Sequence, residues 1–192
     1  MRLRSVVLVT CVLAPAALFG HPSSFSVSPS VSFLRLDPSF RIDPGLMYGA
    51  GVGFSVARSL DAWLSGQAAR LHSSYDSPSG SMDMPIEILL VSGGIRFSLT
   101  DPKAPVSLSL GAGAGMLRFL SDAQGVRVGA LGVLNLPARH DARAVLTASL
   151  SLSAALSTAV TAYLEPGLVA VSPLSDPQRN YSISGGIRVA LF

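Results

Sequence analysis

The sequence predicts an all-β membrane protein: an antiparallel up-and-down barrel of eight strands, with ten as the alternative. Three observations lead there. Of 192 residues, 49% are hydrophobic and only 13% charged, about half the roughly 25% charged share of ordinary soluble domains. Large apolar residues alternate with glycine or serine along most of the chain, which is the period of a strand and not of a helix. The run from Ala144 to Leu164 carries no charge and is long enough to cross a bilayer as a helix. Yet it sets Leu146, Ala148, Leu150, Leu152, Ala154 and Leu156 on one parity and Thr147, Ser149, Ser151 and Ser153 on the other. A helix would spread both sets around its circumference, whereas a strand turns the leucines to lipid and the hydroxyls to the lumen. The rival reading, an inner-membrane helical protein with Ala144–Leu164 as one span, requires the first arrangement.

The chain begins with Arg2 and Arg4, an apolar core from Val6 to Val12, and small residues at Ala14, Ala16, Ala17 and Gly20. This is the pattern of a Sec-type signal peptide over residues 1–20, leaving 21–192 as one barrel domain. Cleavage fits after Ala17 or Gly20. Cys11, the only cysteine, leaves with the signal, so the mature chain is expected to carry no thiol chemistry; lipidation at Cys11 is the minor alternative. Without Arg2 and Arg4, the 14 basic residues fall to 12 against 11 acidic ones. No basic patch remains to attract nucleic acid.

In chain order, Phe25, Val27, Val31 and Phe33 alternate with serines to form a first strand. Pro29 lacks the ladder N–H and predicts a bulge or an edge there. Asp37–Gly45 reads as a loop. Leu46–Ala57 is the second strand, with Gly49, Gly51 and Gly53 facing in; its G-x-G-x-G is a lumen-side spacing device and not a nucleotide loop, because no helix pattern follows. Two echoing segments, Ala57–Leu64 and Ser157–Leu164, each read as a tight hairpin followed by Ala, an aromatic and Leu. They are expected to set Trp63 and Tyr163 at one rim, at headgroup level. Strands near Met84–Leu99 and Val106–Arg118 flank a third tight turn, Thr100–Pro105, and Tyr181–Phe192 is the last strand. The longer connections are Asp37–Gly45, Ser73–Asp83, Leu120–Arg143 and Pro173–Asn180. Alternating short and long joins give eight strands, with termini and short turns on the periplasmic side. Val126–Leu136 alternates like a strand; it is expected as a hairpin extension of the outer loop, and entry into the wall would give ten.

Arg96, Glu165 and Arg188 fall opposite the large apolar residues, so they are expected to form a polar network in the lumen, with Glu165 and Arg188 on neighbouring strands. A buried charge persists only when paired and hydrogen-bonded. Such a network either fixes register or narrows a passage. His72-Ser73-Ser74 offers a base beside hydroxyls, though Tyr75, Asp76 and Ser77 around it read as ordinary loop. His21 and His140 complete the histidines, and no Cys/His/carboxylate spacing suggests a metal.

A terminal aromatic, Phe192, closing an amphipathic strand resembles the C-terminal insertion signal of bacterial outer-membrane proteins. Together with the Gly-x-Gly-x-Gly strands and the signal peptide, it makes the mature chain similar to the small barrel class typified by OmpA-, OmpX- and OmpW-like proteins. The resemblance implies residence in the bacterial outer membrane as a multi-pass barrel. It implies contact with outer-membrane lipid, insertion by the barrel assembly machinery and no cofactor. The expected role is non-enzymatic: envelope structure, binding of an extracellular ligand through the loops, or narrow passage of small solutes. A narrow porin or apolar-ligand channel is the first alternative, and a barrel-embedded lipid-modifying enzyme the second.

Overall fold

The computed structural model describes residues 25–77, 80–101, 104–127, 133–136, 138–172 and 180–191; for 74–77, 80–83, 124–127, 133–136 and 139 it describes the backbone path alone. The expected signal peptide and Phe192 lie outside the described residues. Strands run β1 Phe25–Arg35, β2 Gly45–Ala57, β3 Leu60–Ser77, β4 Gly80–Ser98 and β5 Val106–Ser121. They continue with β6 Gln124–Arg127, β7 Val133–Leu136, β8 Arg139–Ala155, β9 Val160–Val171 and β10 Tyr181–Ala190.

Eight of these close into one barrel in the order β1-β10-β9-β8-β5-β4-β3-β2, every neighbouring pair antiparallel. In hydrocarbon no water can satisfy a backbone N–H or C=O, so closure is what lets a sheet span a membrane. β6 and β7 pair only with each other. The described parts of the Val126–Leu136 stretch therefore stay out of the wall as a separate two-stranded pair, and the barrel has eight strands and not ten.

Two expectations are corrected. Ser73–Asp83, read as a loop, is instead a continuing hairpin: β3 and β4 stay paired from Ser73↔Met84 to Ser77↔Gly80, because ladder hydrogen bonds form in water as well as in lipid. Pro29 is neither at an edge, which a closed barrel lacks, nor at a bulge. It pairs with Ala50 in unbroken register on the β2 side. On the β10 side the ladder skips Ser28 and Pro29 and resumes in the same register, so the missing N–H is absorbed without a shift. A register shift does occur at Ser55/Ala57, beside the turn into β3.

Leu146, Leu150 and Leu152 point outward together, 52%, 41% and 49% exposed, as a strand requires and a helix does not. Among the described residues no helix is long and apolar enough to cross a membrane. The outer face forms an apolar belt, and along each strand the chemistry of the two faces then exchanges. On β4 the outward residues Phe97, Ile95, Val91 and Leu89 give way to Glu87, while the inward Arg96 and Ser92 give way to Leu90, Ile88 and Ile86. On β5, outward Leu110 and Met116 are followed by Arg118, while inward Ser109, Gly111 and Gly115 are followed by Leu117 and Phe119. β3 does the same, with Leu64 followed by Arg70 outside, and Ser65 and Gln67 followed by Leu71 inside.

The inward apolar residues pack into one buried cluster at the long-loop end of the barrel, with Leu34, Met47, Ile88, Leu117, Phe119, Val145 and Val171 each 2% exposed or less. The Leu36–Pro44 connection folds over it and contributes Leu36 and Ile42 to the same cluster. Its path is fixed by polar contacts. The Asp37 carboxylate accepts from Ser39 N–H (3.0 Å), the left-handed Arg41 (φ 54°) donates its N–H to Pro38 O (3.0 Å), and the Ser73 hydroxyl donates to Arg41 O (2.7 Å). Phe40 stacks on Phe119 with ring centroids 6.0 Å apart, and the Arg143 guanidinium lies 5.4 Å from the Phe40 ring centroid on its other contact. The loop end of the lumen is plugged.

Deleting a fully buried ring leaves a cavity as well as losing its transfer energy, so Phe119→Ala is expected to lower stability by about 3–5 kcal/mol. Urea unfolding of lipid-refolded protein, followed by heat-modifiable gel migration, measures it; a loss below about 1 kcal/mol would mean the plug does not hold the barrel.

Candidate functional site

Beneath the plug lies an open-mouthed cavity of about 100 Å³ lined largely by polar residues. Leu90 and Val169, members of the buried apolar set, line its loop-side end, and Ser26 and Arg188 line it near the strand ends where the short turns and both barrel termini lie. Alternation supplies the walls: inward serines from β1, β3, β4, β8 and β10, and the inward glycines Gly51 and Gly53 of β2. Small residues are needed because eight strands enclose little more than the volume of their own side chains.

Arg96, Glu165 and Arg188 all line this cavity, but the pairing differs from the neighbouring-strand expectation. Arg96 on β4 reaches across the lumen to β9, where its Nη2 donates to Glu165 Oε2 at 2.5 Å. β4 and β9 are separated by β5 and β8 on one arc and by β3, β2, β1 and β10 on the other, so the bond is a transverse strut and not a ladder contact. Ser149 on β8 donates its hydroxyl to Glu165 Oε1 at 2.8 Å. Glu165 thus has both oxygens occupied. In sequence Arg188 is placed opposite Thr161, four residues from Glu165, and it stacks instead over the Tyr163 ring, 5.3 Å from the centroid. Further hydroxyl pairs join strands around the lumen, Ser32 with Ser184 at 2.8 Å and Ser65 with Ser92 at 3.2 Å.

The aromatics Trp63 and Tyr163, expected at the rim among lipid headgroups, line the cavity instead. The reason is parity: each precedes an outward leucine, Leu64 at 40% and Leu164 at 51% exposed, so the aromatic must face in. The indole of Trp63 lies against β5. A Cβ added at Gly113 would meet Trp63 Cζ2 at 2.9 Å and Gly93 O at 2.7 Å, so the glycine is a seat for the ring. Trp63 Nε1 and Arg96 Nε are buried with no hydrogen-bond partner among the described residues, which leaves this interior costly as well as crowded.

His72 and Ser73 do not form a base and nucleophile pair. His72 faces out and is exposed, whereas Ser73 is buried inside and bonded to the Arg41 carbonyl. His140 is exposed on the outer face. Among the described residues no group of histidine, cysteine and carboxylates is arranged to hold a metal ion. What the interior can do is hold: a charge-assisted strut, hydroxyl links and one stacked cation brace the wall from within. Missing from the sequence reading was the apolar plug, although the loss of alternation in Ile88-Leu89-Leu90-Val91 and Arg118-Phe119-Leu120 signals side chains wanted on both faces.

No family model matches the sequence, and no curated protein matches it. Among solved structures, the fold is similar to that of neisserial surface protein A (NspA), with a TM-score of 0.63 at 18% identity, covering 88% of this chain and 99% of that one. It is also similar to the outer membrane protein OprG from Pseudomonas aeruginosa, with a TM-score of 0.61 at 10% identity, covering 90% and 98%. The chain has the fold of the small eight-stranded outer-membrane barrels.

Removing one partner of a buried ion pair strands the other charge, so Glu165→Gln is expected to cost about 3–5 kcal/mol. Pairing it with Arg96→Met should recover much of that loss. The same urea titration reports both, and an additive double variant would show that the two side chains do not act as a unit.

Proposed function

We propose that this chain is an outer-membrane barrel of the bacterial envelope that acts as a closed scaffold, presenting its long loops outside the cell and passing no ions. The Sec-type leader over residues 1–20 supplies the export route, and the short turns and both barrel termini face the periplasm, as in barrels of this kind. The observation that carries the reading is the plug. Among the described residues, thirteen buried apolar side chains, including two from the Leu36–Pro44 connection, occupy the loop end of the lumen, and a dewetted constriction blocks ions even where a narrower polar path would conduct. The polar cavity behind it supports a brace and not a pathway, since the Arg96–Glu165 strut crosses it.

Planar-bilayer recording of the refolded protein is expected to be silent. A variant that thins the plug, Phe40→Ala with Phe119→Ala, is expected to produce unitary steps if it refolds with heat-modifiable migration. Steady steps from the wild-type protein would overturn the closed scaffold in favour of a narrow channel.

A further inference from the structure

The cavity below the plug opens toward the turns, since the apolar cluster closes its loop end and Ser26 and Arg188 stand near its turn-side end. Its charges do not balance. Arg96, Arg188 and Glu165 line it, two guanidinium groups against one carboxylate. Glu165 has both oxygens occupied by Arg96 and Ser149. Arg188, two residues from the end of β10, lies over the face of Tyr163 and forms no ion pair among the described residues. Asp61, the other carboxylate on the inward parity, stands outside the cavity lining and accepts from the Ser55 hydroxyl at 2.7 Å. A cation in a narrow interior is costly until an opposite charge meets it.

Two hydrogen-bond donors of the same cavity also lack a partner. Arg96 is 9% exposed, and its Nε and the Nε1 of Trp63 are both buried with no acceptor among the described residues. An orphaned donor carries its full desolvation penalty. A small turn of either side chain that brings it to an acceptor in the open space is therefore favoured. Hydroxyls of Ser28, Thr147 and Ser184 complete a wall that is polar without adding charge. The volume of about 100 Å³ takes the place of several waters, which suits a molecule of a few non-hydrogen atoms.

We propose that the cavity is a blind binding site, entered from the turn side, for a small monocarboxylate. Its two oxygens accept from Arg96 Nε–H and Trp63 Nε1–H, and its single negative charge answers the Arg188 guanidinium. Charge matching decides between ligands. A neutral polyol leaves Arg188 unanswered, and a divalent oxyanion brings one charge too many into a site that excludes bulk water. Because the plug closes the far end, the ligand enters and leaves on one side and is held, not passed. That this side is the periplasm rests on the orientation proposed above; the binding does not.

Trp63 is the only tryptophan in the sequence, so its indole N–H gives a single nuclear magnetic resonance signal that reports from inside the site. The full barrel, isotope-labelled and refolded into lipid nanodiscs, is titrated with acetate and, in separate samples at matched ionic strength, with sulfate and with glycerol. Acetate is expected to shift the indole signal saturably, and sulfate and glycerol to bind at least about tenfold more weakly. Arg188→Gln, which leaves the Arg96–Glu165 strut in place, is expected to weaken acetate about tenfold. Arg96→Lys, which keeps a cation for Glu165 and removes Nε, is expected to weaken it about fivefold. Arg58→Gln, exposed on a turn and outside the cavity lining, is expected to change nothing. Heat-modifiable migration confirms that each variant is folded. A folded wild type with no saturable acetate shift, its two donors served by water alone, would overturn the site. So would an acetate response that both arginine variants leave unchanged, and sulfate bound as tightly as acetate would overturn the carboxylate assignment. None of these readouts depends on conductance, so a conducting wild type would sink the closed scaffold without touching this site.

Discussion

Backbone hydrogen bonding in a medium without water is the constraint from which the other features follow. Each barrel strand has to satisfy its N–H and C=O groups with two neighbours, and only closure of β1 onto both β2 and β10 achieves this for every strand. Closure in turn fixes which side chains share the inside. With eight strands the enclosed space is narrow, so the membrane-level interior is built from serine and glycine, and the few long side chains that enter must cross it or lie along its wall. Arg96 crosses it and ends on Glu165, whereas Trp63 lies along the wall and ends over Gly113, two strands away.

The interior has two chemistries because the barrel has two surroundings. β3 and β4 are 18 and 19 residues long, well beyond the roughly 9–11 needed to cross hydrocarbon. Their outer portions stand in water, where burial of apolar surface contributes about 25 cal/mol per Å² and a β-structure needs a core of its own. The plug is that core. It gives the projecting part the inside-apolar, outside-polar arrangement of a soluble barrel, while the membrane-level part keeps the reverse. At membrane level lipid already covers the apolar residues, so the lumen is free to hold charge, provided each charge is bonded.

Much of this was legible in the residues. The strict alternation of leucine and serine from Leu146 to Leu156 gives β8 its two faces, and alternating tight and long joins give eight strands. The lumen-facing parity of Arg96, Glu165 and Arg188 follows from the same period. What escaped was whatever depends on distance across the barrel. Nothing in the sequence relates Arg96 to Glu165, 69 positions apart, until the strand order places β4 nearly opposite β9. Trp63 and Tyr163 were misread because aromatics favour headgroups in general, although the leucine after each already assigned the aromatic to the other face. The plug escaped for a different reason: Met84–Leu99 reads as one strand, and only its length beyond the hydrocarbon tells that Ile86, Ile88 and Leu90 continue the parity of Ser92 and Arg96 into water.

The exchange of faces also explains why a single register is selected. In a barrel with one uniform pattern, a one-residue slip inverts every side chain and is opposed once. Here the same slip is opposed in two ways at once. At membrane level it would turn Arg96 and Glu165 toward lipid and crowd the lumen with leucines. Beyond the level where the faces exchange it would turn Leu117 and Phe119 toward water and drive Arg118 and Glu87 into the plug. A slip that relieved one half would not relieve the other, because the inversion point would have to move with it on every strand. The cross-lumen strut and the packed rings therefore act on one degree of freedom from opposite ends of the barrel, and the height at which the faces exchange is set jointly by both.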